Sequence, residues 1–127
     1  MRKLVGVILL GLSLASTSWA DQAQRGAVTG VIQSQIDAFL EDDFDRAFTF
    51  ASPNIRSMFG TPDNFGRMVR QGYPMVWRPA DVSYGQTESG QGRVLQNVVI
   101  RDADGVVHVL EYEMIPVSEG WQSNGVR

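Results

Sequence analysis

The sequence predicts an α+β fold in which N-terminal helices pack on a curved four-stranded antiparallel sheet. Two observations carry this. Apolar residues recur at helical spacing through the first half of the chain after residue 20, and alternating, β-branched runs separated by short turns fill the second half. All helices precede all strands, so parallel crossovers are excluded and a meander is expected.

The first twenty residues stand apart. Arg2 and Lys3 are followed by an apolar run from Leu4 to Leu14, and Ser18-Trp19-Ala20 places small residues at both cleavage-recognition positions. That is the pattern of an export signal, with a run shorter than the roughly 20 apolar residues needed to span a bilayer. Residues 1–20 are therefore expected to be removed and residues 21–127 to form one domain. The localisation this implies is periplasmic or secreted, and no membrane association is expected after signal removal.

Val28, Val31, Ile32, Ile36, Phe39 and Leu40 define an amphipathic helix over Gln22–Leu40. After the acidic junction Glu41-Asp42-Asp43, the group Phe44, Ala47, Phe48 and Ala51 predicts a second, shorter helix ending before Ser52-Pro53. Asp43 is its natural N-cap. Ile55, Met58 and Phe59 suggest one helical turn closed by Gly60. Thr61 then caps a further helix with Pro62 at its first position, Phe65, Met68 and Val69 on its buried face, and Gly72 beyond its end. Tyr73–Pro79 carries two prolines and is expected to be an extended connector.

Ala80–Gln86, Arg93–Arg101, Val106–Val117 and Trp121–Arg127 read as strands. Pairing across Asp104-Gly105 puts Leu95, Asn97, Val99, His108, Leu110, Tyr112 and Met114 on one face, with Val94, Gln96, Val98, Ile100, Glu111 and Glu113 on the other. The face with Tyr112 and Met114 is expected under the helices, because two carboxylates are hard to bury.

Several function classes are excluded or disfavoured. Nine basic against fourteen acidic residues after position 20, with no lysine, leave no basic stripe for nucleic acid. The absence of cysteine rules out disulfides, thiolate metal sites and cysteine nucleophiles, and the single His108 precludes a histidine pair for metal. Asp102-Ala103-Asp104-Gly105 lacks the glycine and oxygen ligands of a calcium loop at the required positions, so a hairpin turn is the better reading. No hydrolase nucleophile signature occurs, and no cofactor or metal is expected.

The remaining candidates for ligand binding are Tyr73, Trp77, Arg78, Asn97, His108 and Tyr112. Tyr73, Trp77 and Arg78 place aromatics and a guanidinium on a stretch stiffened by proline, which suits recognition. It equally suits a structural plug, with Arg78 paired to a carboxylate such as Asp81. His108 is either a pocket acid or base or a satisfied sheet histidine, the latter being the commoner case.

The stretches 31–39, 48–55, 58–62 and 69–79, with Gly120-Trp121, resemble an exported bacterial family, domain of unknown function 4864. The resemblance extends over nearly all of the chain after the signal. The arrangement also looks like the cone-shaped nuclear transport factor 2-like fold, which implies a pocket between helices and sheet but no particular activity. Two expectations follow. One is a non-catalytic exported domain binding a small molecule or a protein through that pocket or the Tyr73–Arg78 edge. The other is a pocket enzyme of isomerase or lyase type with a buried proton shuttle drawn from His108, Tyr112 and Asn97, or from Glu111 if the two sheet faces are reversed. The free edges of a meander also suit pairing into a homodimer.

Overall fold

The computed structural model describes residues 13–127, with side chains from residue 19 onward. The expected signal run lies largely outside the described residues. Helix α1 (Ser13–Leu40) is followed by α2 (Phe44–Thr49), α3 (Pro53–Phe59), α4 (Pro62–Gly72) and α5 (Pro74–Trp77). Strands β1 (Pro79–Gly90), β2 (Arg93–Asp102), β3 (Val107–Val117) and β4 (Gly120–Val126) then form one antiparallel sheet in the order β1-β2-β3-β4. This is the α+β architecture the sequence implies. Among the described residues, no helix is long and apolar enough to cross a membrane.

Local chemistry sets each helix boundary. The Asp43 carboxylate accepts from the Arg46 N–H, Ser52 Oγ from Ile55 N–H and Thr61 Oγ1 from Asn64 N–H, so the three caps occupy an otherwise orphaned donor at each start. Pro53 and Pro62 sit where a missing N–H costs nothing.

The same rule corrects the reading of Tyr73–Pro79. Pro74 opens a single helical turn, α5, closed by the Arg78 N–H donating to the Pro74 carbonyl, and Pro79 merely begins β1. Two prolines five residues apart leave room for one turn between them.

Val28, Ile32, Ile36, Phe39 and Ala38 of α1 are fully buried against Val94, Val98, Ile100, Tyr112 and Met114 of the sheet. Full burial of each large apolar side chain contributes about 1.5–3 kcal/mol relative to exposure. Phe65 adds an aromatic cluster at the other end, with its ring centroid 5.8 Å from that of Phe39, 5.4 Å from Phe48 and 5.9 Å from Phe59.

Tyr112 and Met114 do lie under the helices, but their partners on β2 are not those expected. Gln96 opposes Tyr112, Val98 opposes Leu110 and Ile100 opposes His108, so Val94, Gln96, Val98 and Ile100 are inward. Leu95, Asn97 and Val99 face away. The cause is the turn: Arg101 pairs with Val107, leaving five residues in the loop rather than two. Asp102 Oδ1 accepts from the N–H groups of both Asp104 and Val106, which stabilises the longer loop. A change of one residue in register turns a whole strand over.

A bulge between Tyr84 and Thr87 interrupts β1. Arg25 of α1 is anchored there, donating to the carbonyls of Gly85 (2.6 Å) and Tyr84 (3.1 Å) and to Thr87 Oγ1 (2.6 Å). Helix and sheet edge are thereby joined at one end. At the other end, the Ser52 N–H donates to the Ser123 carbonyl and the Ser123 N–H to the Phe50 carbonyl, which makes an isolated parallel bridge between Ala51 and Ser123.

Candidate functional site

The space between α1, α3, α4, α5 and the β3–β4 edge is not filled. A cavity of about 220 Å3 remains, walled by Phe39, Phe65, Val69, Val76, Tyr112 and Val126 and rimmed by Met58 and Met68. Aromatic and β-branched side chains that cannot bend into the gap line it, and methionines stand at the mouth, with Met58 largely exposed. An apolar cavity of about 150 Å3 is enough to admit benzene, so this one has room for a small aromatic or a short acyl chain.

The polar groups of the wall are few. Gln35 projects from α1, where its Nε2 donates to the Ala47 carbonyl at 3.1 Å. That contact fixes which end of the amide carries nitrogen and leaves Oε1 free of any partner among the described residues. Tyr112 comes from β3 and Ser123 from β4. Tyr73 spans the opening from the end of α4, its hydroxyl donating to the Val126 carbonyl at 2.9 Å. Burial pushes the Tyr112 phenol well above its ordinary range, and the neighbouring Tyr84 and Tyr73 add to the effect. The hydroxyl is therefore a neutral donor at every physiological pH.

The six sequence candidates separate into four places. Tyr73 and Tyr112 come together at the cavity. Trp77 and Arg78 lie outside its wall, on the turn after α1. Trp77 Nε1 donates to Asp42 Oδ1 at 2.9 Å, and Arg78 Nη2 reaches both Asp42 carboxylate oxygens at 2.9 and 3.0 Å. Arg78 also donates to the Phe39 carbonyl and stacks 4.1 Å above the Trp77 ring. The carboxylate that pairs with Arg78 is thus Asp42 and not Asp81, which pairs with Arg101.

Asn97 is on the outward face of the sheet, opposite Glu111. His108 shares the helix-covered side but sits at its far end, with Nε2 2.8 Å from Asp102 Oδ2. The hydrogen bond from His108, joined by the Val106 backbone N–H, holds the Asp102 carboxyl below its usual range.

Sequence reasoning passed over Gln35 and Ser123. Gln35 left a signal, because it interrupts the stripe Val28, Ile32, Phe39 at a position that helical spacing turns inward. Ser123 left none, since its inward direction depends on the β3–β4 register. Among the described residues, no group of three or more His, Cys, Asp or Glu side chains is gathered as a metal site would need.

Comparison with known proteins gives one finding. A family model described as domain of unknown function (DUF4864) matches residues 21–127. No curated protein and no solved structure matches the chain.

Proposed function

The chain belongs to the DUF4864 family, a membership that carries no activity with it, and we propose that the protein is an exported, non-catalytic module that binds a small apolar molecule in the cavity between helices and sheet. The observation that carries this reading is the cavity itself, a space of about 220 Å3 with an apolar wall and a methionine rim. Preformed, mostly apolar concavities with a few placed polar groups are where small ligands bind. Export is supported by the basic start, the apolar run and the small residues before Asp21, the residue at which the family match begins. The nuclear transport factor 2-like cone belongs to the same reading, supported by helices on one sheet face with a cavity between the layers.

The isomerase or lyase alternative requires an acid or base inside the cavity. Among the described residues, no Asp, Glu, His, Lys or Arg contributes to the wall, and the Tyr112 phenol, pushed up by burial, is a poor proton shuttle near neutral pH. The Tyr73–Arg78 edge is less suited to recognition than its composition suggests, because Trp77 and Arg78 already engage Asp42.

Titration of the purified protein with toluene or indole, followed by amide and methyl NMR shifts, tests the binding reading. Shifts confined to Val69, Tyr112 and Val126, and their loss in Met68→Trp, are expected. Shifts scattered over the surface, or binding that survives the occluding tryptophan, would overturn it. Export is tested separately by the N-terminal sequence of the protein recovered outside a bacterial cytoplasm, which should begin at Asp21.

A further inference from the structure

Buried polar side chains in this protein fall into two groups. Ser52 and Gln96, both fully buried, are satisfied: Ser52 Oγ donates to Asn124 Oδ1 and accepts from Ile55 N–H, while Gln96 Nε2 donates to the Gly85 and Asn97 carbonyls and its Oε1 accepts from Thr87. Gln35, Tyr112 and Ser123 are 3%, 2% and 7% exposed, yet Gln35 Oε1, the Tyr112 hydroxyl and Ser123 Oγ have no hydrogen-bond partner among the described residues. All three residues line the same cavity. Unpaired buried polar atoms are rare and costly, so their concentration in this apolar space between the layers calls for a cause.

Taking the binding reading above as its basis, we infer that the ligand of this cavity is an uncharged molecule with an apolar body and one polar head that both accepts and donates hydrogen bonds, as an amide, an alcohol or a phenol does. The Tyr112 and Ser123 hydroxyls supply donors for the head's oxygen, and Gln35 Oε1 supplies an acceptor for its N–H or O–H. The apolar body fills the space beside Phe65, Val69 and Val76. Among the described wall residues a carboxylate head finds no cation and meets the Gln35 acceptor, and an ammonium head finds no carboxylate, so either ion would be buried uncompensated. The neutrality of the Tyr112 phenol agrees with this.

Three probes of similar shape separate the possibilities: toluene, benzamide and benzoate, titrated into the purified protein by NMR. Benzamide should bind at least about five-fold more tightly than toluene, the scale of one or two net hydrogen bonds, and benzoate should not bind. Tyr112→Phe should bring benzamide down to the level of toluene without lowering the melting temperature, since the hydroxyl removed has no hydrogen-bond partner among the described residues and its burial unpaired is itself a cost. Ser123→Ala repeats the test at an independent position and serves where the first variant folds poorly.

Equal affinity for toluene and benzamide would overturn the polar-head inference and leave a purely apolar site. Benzoate as the tightest probe would overturn neutrality. Failure of all three probes to bind would remove the binding reading and this inference together.

Discussion

Asp42 and Trp77 are joined by a 2.9 Å hydrogen bond from the indole N–H to the carboxylate, across thirty-five positions of chain. Asp42 adopts a left-handed conformation, φ 56°, at the turn between α1 and α2, and Arg78 grips the same carboxylate from above the indole ring. The turn that reverses the chain after α1 and the turn that launches the sheet are thus held by one carboxylate. The rigid edge noted in the sequence acts as a clasp behind the cavity.

This clasp makes stability sensitive to acid. Hydrogen bonds from Trp77, then from Arg78, hold the Asp42 carboxyl below its ordinary 3.8. A lowered folded-state value means the contribution is present above the unfolded value and is lost as pH falls through the folded one. The melting temperature should therefore fall as pH drops below about 4, and part of that fall should disappear in Asp42→Asn, which is less stable at neutral pH but tolerates the left-handed turn. Thermal melts of both proteins across this range decide it; parallel curves would refute the assignment.

Because the clasp lies outside the cavity wall, Asp42→Asn should leave toluene affinity within about two-fold of the parent, a free-energy change below about 0.5 kcal/mol. NMR titration checks it. A large loss would mean that the edge takes part in binding after all.

At the alkaline end, Tyr84 is pushed up to about 12 by burial, with the negative charge of Asp37 adding to it. Its hydroxyl donates to Gln33 Oε1 at 2.7 Å. Here the folded value is raised, so the stabilisation is complete below the unfolded value near 10 and declines as pH rises toward 12. Stability measured by denaturant titration should fall over that interval, and Tyr84→Phe should flatten the fall. An unchanged slope in the variant would count against the role of Tyr84.

Gly66 of α4 lies so close to α2 that an added Cβ would meet the Phe44 ring at 2.6 Å. The ring has little room to withdraw, with Phe39 beside it at 6.1 Å between centroids and the Arg70 guanidinium 5.0 Å from its centre. Gly66→Ala gains about 1 kcal/mol of helix propensity but incurs overpacking of about 1–3 kcal/mol, so a net loss is expected. Combining it with Phe44→Leu should recover part of that loss. A stabilised Gly66→Ala single variant, read by urea unfolding, would show that the two helices separate easily.

The order of helices and strands, the capped helix starts and the apolar stripe of α1 were legible in the sequence, because each depends on residues within a few positions of one another. So was the burial of Tyr112 and Met114, which follows from the cost of burying Glu111 and Glu113 on the opposite face. The one-turn helix α5 was legible in principle, through Pro74 at a helix start, but was obscured by Pro79 nearby.

What only the tertiary structure decided was how separate elements register. A five-residue loop after Arg101 in place of a two-residue one brought Gln96 inside and sent Asn97 outward. The β3–β4 pairing aimed Ser123 at the cavity, and the left-handed turn at Asp42 took Trp77 and Arg78 away from it. Local propensity fixes which segments are helix or strand. The direction in which a side chain finally points depends on loop length and long-range pairing, whose energies belong to no single segment.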